Sequence, residues 1–130
     1  MSHFTTVKTK LKDLTCIKSA VEDLGLTFTE AQEGLKVRGY QGDSRMAKMV
    51  IKASNSYDIG LYQTENGYEM VADWWGIEVE TGLKEEAWVE RFNQRYAYNK
   101  VIKEIKSRGF TLEEEVEEEG EIKMVVRKWS

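Results

Sequence analysis

Val71-Ala72-Asp73-Trp74-Trp75-Gly76 is the stretch on which the fold turns. Read as the end of a strand running from Tyr68 to Trp75, it places two adjacent tryptophans on opposite faces of a sheet, because side chains alternate along a strand. If Trp74 enters the core, Trp75 faces the other way. The second face of that sheet is then aromatic too, and a lone domain seldom leaves such a surface bare.

Working outward, Asn66-Gly67 between alternating segments is a short-hairpin signal, pairing residues 58–63 with 68–75. Residues 48–53 read as a strand, turned into the next by Asn55-Ser56. Upstream, residues 4–9 suit a strand, and Leu14, Ile17, Val21 and Leu24 recur on one face of a helix. Asp13 is its expected N-cap and Gly25 its stop. Strands are expected at 26–29 and 35–40, with a turn at Glu33-Gly34 and a loop over 41–47.

Downstream, residues 76–82 read as a connection and 83–107 as a long helix stopped at Gly109. Strands 110–117 and 121–129 close the chain, hinged at Gly120. The long helix carries two apolar stripes, Trp88, Phe92 and Tyr96, then Tyr98, Val101, Ile102 and Ile105. They do not align at the helical period. Such a helix bends near Gln94, packs on two elements, or has one wide face covered by arginine stems. Leu24-Gly25-Leu26-Thr27-Phe28 echoes Arg108-Gly109-Phe110-Thr111-Leu112, which suggests a duplicated β-α-β-β unit with a hairpin insert. Helix stop signals alone account for part of that match.

The chain of 130 residues is expected to be a single domain, 1–130, large enough to bury a core without metal or disulfide. The expected fold is α+β and two-layered. A mostly antiparallel sheet of about seven strands carries two helices on one face. Alternation assigns Leu35, Val37, Met49, Ile51, Ile59, Leu61, Met70, Ala72, Trp74, Ile122, Met124 and Val126 to the core face. The opposite face receives Arg38, Tyr40, Val50, Lys52, Tyr62, Val71, Asp73, Trp75, Val125, Arg127 and Trp129. A register error of one residue would invert a strand's contribution.

A net charge of −4 disfavours a simple duplex-DNA binder. The single cysteine, Cys16, fits a reducing compartment. It stands three residues after the expected cap, where a helix end lowers a thiol pKa, although a half-buried structural cysteine is the plainer reading. No apolar run reaches the length of a membrane span and no signal-peptide core appears. The expectation is a soluble protein of the cytoplasm or a plastid stroma.

Chemistry is sparsely signposted. His3 has no His or Cys neighbour, so no local metal site is expected. Gly39-Tyr40-Gln41-Gly42 lacks the Lys-Ser/Thr ending of a phosphate loop. No cofactor is expected. The acidic run Glu113 to Glu119 reads as a solvated hairpin edge.

What remains is the mixed aromatic and basic face: Arg38, Tyr40, Tyr62, Asp73, Trp75, Arg127 and Trp129. As an interaction or assembly surface, its rings supply desolvated area and Arg38 and Arg127 supply directional pairing. The partner is then a protein or a second copy. The alternative from another class is an enzyme or small-ligand site centred on Asp73 and Arg38 beside Trp74-Trp75. Against it stands a plain cross-strand Asp73–Arg38 ion pair. A third reading stacks single-stranded nucleic acid on the rings, and the bland one lays the aromatics beneath a covering loop.

Five separated segments carry a family resemblance: the opening Met1-Ser2-His3-Phe4-Thr5-Thr6-Val7-Lys8, Val37-Arg38-Gly39-Tyr40, Tyr57-Asp58-Ile59-Gly60, Val71-Ala72-Asp73-Trp74-Trp75, and Val125-Val126-Arg127-Lys128-Trp129. Over its whole length the chain resembles an uncharacterised small protein family of cyanobacteria and red-algal-type plastid genomes, a hypothetical chloroplast reading frame. The resemblance implies a domain of unknown function without assigned catalytic residues. It implies a cyanobacterial cytoplasm or plastid stroma, and an accessory role beside AAA-type ATPases.

Overall fold

The computed structural model describes residues 4–8, 11–38, 46–119 and 121–128. Its elements in chain order are β1 (Phe4–Lys8), α1 (Leu14–Asp23), β2 (Phe28–Leu35), β3 (Ala47–Lys52), β4 (Asp58–Thr64), β5 (Gly67–Asp73), α2 (Trp74–Thr81), α3 (Glu85–Ser107), β6 (Phe110–Glu118) and β7 (Glu121–Lys128). The architecture is α+β with antiparallel pairing throughout.

The described strands do not form one sheet, and three helices stand where two were expected. Five strands pair in the order β1-β5-β4-β3-β2, while β6 and β7 form a separate two-stranded hairpin. The helix α3, roughly 35 Å long at its 23 residues, carries the chain away from the main sheet before β6 begins. Ile122, Met124 and Val126, assigned to the main core, lie instead on this hairpin.

The central register matches the alternation read from the sequence. Met49, Leu61 and Met70 form one row across β3, β4 and β5, and Ile51, Ile59 and Ala72 form the next on the same face. This face packs with Ile17 and Val21 of α1, Ile77 of α2, and Trp88 and Phe92 of α3. The Trp88 and Phe92 rings stack at 5.4 Å and Trp74 tilts against Trp88 at 5.6 Å. Such ring pairs add about 1 kcal/mol each beyond their buried area.

Residues 26–38 correct two expectations. Among these described residues there is one strand, β2, rather than a hairpin with its turn at Glu33-Gly34. Gly34 takes φ +94°, and a Cβ there would fall 2.4 Å from Met46 Cβ. That glycine irregularity lets the register slip between Glu30 and Leu35 without ending the strand. The hairpin of 26–29 with 35–40, on which the suggested duplication rested, is therefore absent among the described residues, although Gly25 and Gly109 end their helices with the same left-handed backbone. The slip also moves Leu35 and Val37 to the other face, where they pack with Val50 and Tyr62.

The two stripes of α3 belong to two different partners. Trp88, Phe92 and Tyr96 join the main core, whereas Ile102 and Ile105 line an apolar groove together with Phe110 and Leu112 of β6. Helix α1 begins as expected, with Asp13 Oδ1 accepting from Cys16 N at 3.2 Å. The same carboxylate binds Lys103 Nζ at 2.6 Å and Lys100 Nζ at 3.3 Å, tying α1 to α3.

Candidate functional site

The Trp-Trp pair is not the end of a strand. β5 stops at Asp73, whose Oδ1 accepts from Gly76 N at 2.9 Å and caps α2. An Asp at this position satisfies a backbone N–H of the first helical turn and starts the helix. Trp74 and Trp75 are the first two residues of α2, and the fold separates them by helical rotation rather than by strand alternation. Trp74 is 5% exposed and Trp75 48%. Val79, one helical turn after Trp75, is 64% exposed.

The tight seat of α2 explains Gly76. Tyr57, at the turn between β3 and β4, lies directly on it, and a Cβ at 76 would stand 2.2 Å from Tyr57 Cζ. Glu80, at the far end of the helix, accepts from Ser54 Oγ and from Ser56 N at 3.0 Å. These donors hold its carboxyl below the usual carboxylate range. The helix is thus docked on the 53–57 turn at both ends, and Trp75 and Val79 are left outside.

Arg38 is bound from the same turn. Its Nε donates to Asp58 Oδ1 at 2.9 Å, its two terminal nitrogens donate to Asn55 O at 2.6 Å and Ser54 O at 3.0 Å, and its backbone N donates to Asp58 Oδ2 at 3.0 Å. The Asp58 hydrogen bond raises the guanidinium pKa above its ordinary value. The expected Asp73–Arg38 pair is therefore replaced by two separate arrangements: Asp73 serves a helix and Arg38 serves Asp58. Spacing could not reveal this, since Asp58 and Asp73 are both acidic residues at strand ends.

The remaining members of the expected surface are dispersed. Tyr62 is half-buried against Val37 and Val50. This part of the second sheet face is covered by the segment after β2, with Val37 seated over Gly60, where a Cβ would lie 2.5 Å from Val37 Cγ2. Arg127 lies on β7, outside the main sheet, 3.6 Å from Glu113 and largely exposed. Tyr40 and Trp129 lie outside the described residues. The structure thus groups Trp75 with Val79, a residue whose i, i+4 spacing was visible in Trp75-Gly76-Ile77-Glu78-Val79 but hidden by the strand reading.

Other chemistry is contained. Cys16 is buried, and burial, followed by the nearby Asp13 carboxylate, pushes its thiol pKa up rather than down. Among the described residues no three His, Cys, Asp or Glu side chains converge as a metal site. No helix among them is long and apolar enough to cross a membrane.

Known proteins agree with the sequence resemblance. A family described as "Protein of unknown function (DUF1257)" matches residues 20–125. The chain is 35% identical to the "Uncharacterized protein ycf35" of Guillardia theta, over 99% of this chain and 98% of that one. It is 32% identical to its namesake in Pyropia yezoensis, over 100% and 99%, and 30% identical to that of Cyanophora paradoxa, over 99% and 98%. No solved structure matches the chain. With most of its length matched by the family and nearly all of it by these relatives, the chain belongs to the DUF1257 family.

Proposed function

We propose that this protein is a non-enzymatic interaction or assembly factor that presents the outer face of α2 to a protein partner. The carrying observation is the half-exposed Trp75 ring with Val79 one turn on. Tryptophan is the residue type most enriched at interface hot spots, and leaving it in water has no role in packing. Arg38, 44% exposed at its side chain, stands on the turn that seats α2 and adds a polar rim. The groups that would have made a ligand site, Asp73 and Arg38, are engaged in capping and bracing.

The expected setting is the cytoplasm or a plastid stroma. The resemblance read from the sequence makes an AAA-type ATPase system the partner class to examine first. The test is paired affinity capture from a native host with wild type, Trp75→Ala and Val79→Ser, with Val101→Ser as a surface control. A partner held by wild type and the control, and lost by both folded α2 variants, supports the reading. Capture that ignores α2 rejects it.

A further inference from the structure

The hairpin β6–β7 has two long edges of opposite character. Among the described residues, β7 pairs with β6 alone. A two-stranded sheet is marginal by itself, and a long unpaired edge with apolar side chains invites another strand. Val125 and Val126 of β7 are 49% and 39% exposed, one on each face of the hairpin. We propose that the β7 edge pairs with the β7 edge of a second copy of this chain, antiparallel and two-fold about Met124, merging two hairpins into one four-stranded sheet.

Symmetry and charge select both the edge and the register. A two-fold axis normal to a sheet sets one residue opposite its own copy, and paired side chains share a face. Centred on Lys123, two lysines would oppose each other. Centred on Val125, Lys123 would face Arg127. Centred on Met124, Glu121 faces Arg127 at both ends, Ile122 faces Val126, and Lys123 faces Val125. Opposite charges directly across a ladder stabilise it and like charges destabilise it.

The β6 edge refuses the same pairing. Every two-fold register centred between Glu113 and Glu117 sets at least one glutamate opposite another. α3 also packs against this strand, with Tyr98 donating to Glu115. Within one copy, Arg127 meets the exposed Glu113 at 3.6 Å, a contact of little value that is readily exchanged. Glu121 and Arg127 of one copy stand about 20 Å apart along the strand, too far to pair with each other.

The test uses sedimentation equilibrium of the full chain over a wide concentration range, with circular dichroism as a check on folding. Wild type is expected to dimerise. Glu121→Arg and Arg127→Glu each weaken the dimer about tenfold or more, since each turns both symmetric pairs repulsive. The double reversal restores it, which only an intermolecular pair can do. Met124→Cys closes a disulfide between copies on mild oxidation, because residues opposite each other across a ladder fall within bridging distance. The sole native cysteine is buried. Trp75→Ala leaves the dimer intact, which separates this surface from α2. A monomer at every concentration overturns the proposal. So does a dimer indifferent to both reversals and unlinked at Met124→Cys, or one abolished by Trp75→Ala.

Discussion

Tyr57 and Gly76 claim the same space: the phenol ring lies where a side chain at 76 would begin, 2.2 Å from its Cζ. Gly76 sits inside a helix, where alanine is ordinarily favoured by about 1 kcal/mol. Here Gly76→Ala is expected to destabilise by about 2 kcal/mol, because the Tyr57 ring, whose backbone N–H is held by Ser54 Oγ, must be displaced. Tyr57→Ala combined with Gly76→Ala should recover part of the loss. Urea unfolding of the single and double variants measures the coupling.

The two tryptophans should separate in the same assay. Trp74→Ala removes a buried ring from its contact with Trp88 and is expected to cost about 3 kcal/mol or more. Trp75→Ala leaves the packed side of α2 untouched and should stay within about 0.5 kcal/mol. Equal losses at both positions would contradict the helical separation.

Asp73 and Arg38 should behave as structural residues. Asp73→Ala strips the cap from α2 and is expected to cost about 1–2 kcal/mol, with Asp73→Asn or Asp73→Ser recovering most of it. Arg38→Ala leaves the Asp58 carboxylate, 6% exposed at its side chain, without its cation. Complete burial of a broken pair costs more, so about 2 kcal/mol is expected for a half-exposed arginine. Thermal and urea unfolding of each variant decide the matter.

The α1–α3 tie should fail in acid. Lys103, ahead of the smaller contributions from Cys16 N and Lys100, holds the Asp13 carboxyl well below its ordinary value of 3.8. A carboxyl depressed in the folded state contributes stability above its unfolded pKa and loses it as the pH falls toward the folded one. Wild type should therefore lose melting temperature as the pH drops below about 4. Asp13→Asn should start lower at neutral pH and show a flatter acid limb. Parallel limbs in the two proteins would remove Asp13 from the account.

The turn between β6 and β7 offers a gain. Glu119 takes φ +49°, a left-handed conformation in which asparagine is more at ease. Glu119→Asn also removes one charge from an acidic run. It is expected to raise stability by about 0.5 kcal/mol, read as a shift in urea midpoint at unchanged slope.

The sequence by itself determined what depends on neighbours along the chain. Period-two apolar runs set the register of β3, β4 and β5, since each strand has one face to bury. Asp13 and Gly25 bounded α1, and the misaligned stripes of α3 left a bend, two packing partners or one wide face open, of which the structure takes two partners. The Asn66-Gly67 signal found the β4–β5 hairpin, although its loop is Glu65-Asn66, one residue earlier.

Tertiary structure decided what depends on contacts between distant segments. Val71-Ala72-Asp73-Trp74-Trp75 reads as the end of a strand, yet Trp74 reaches Trp88 and Gly76 receives Tyr57 only if the chain turns helical at Asp73. The choice of Asp58 over Asp73 as the partner of Arg38 rests on how residues 36–38 cross the sheet above Gly60. The separation of β6 and β7 from the main sheet follows from the length and docking of α3. None of these is encoded in local periodicity, because each is settled by which surfaces meet once the sheet has formed.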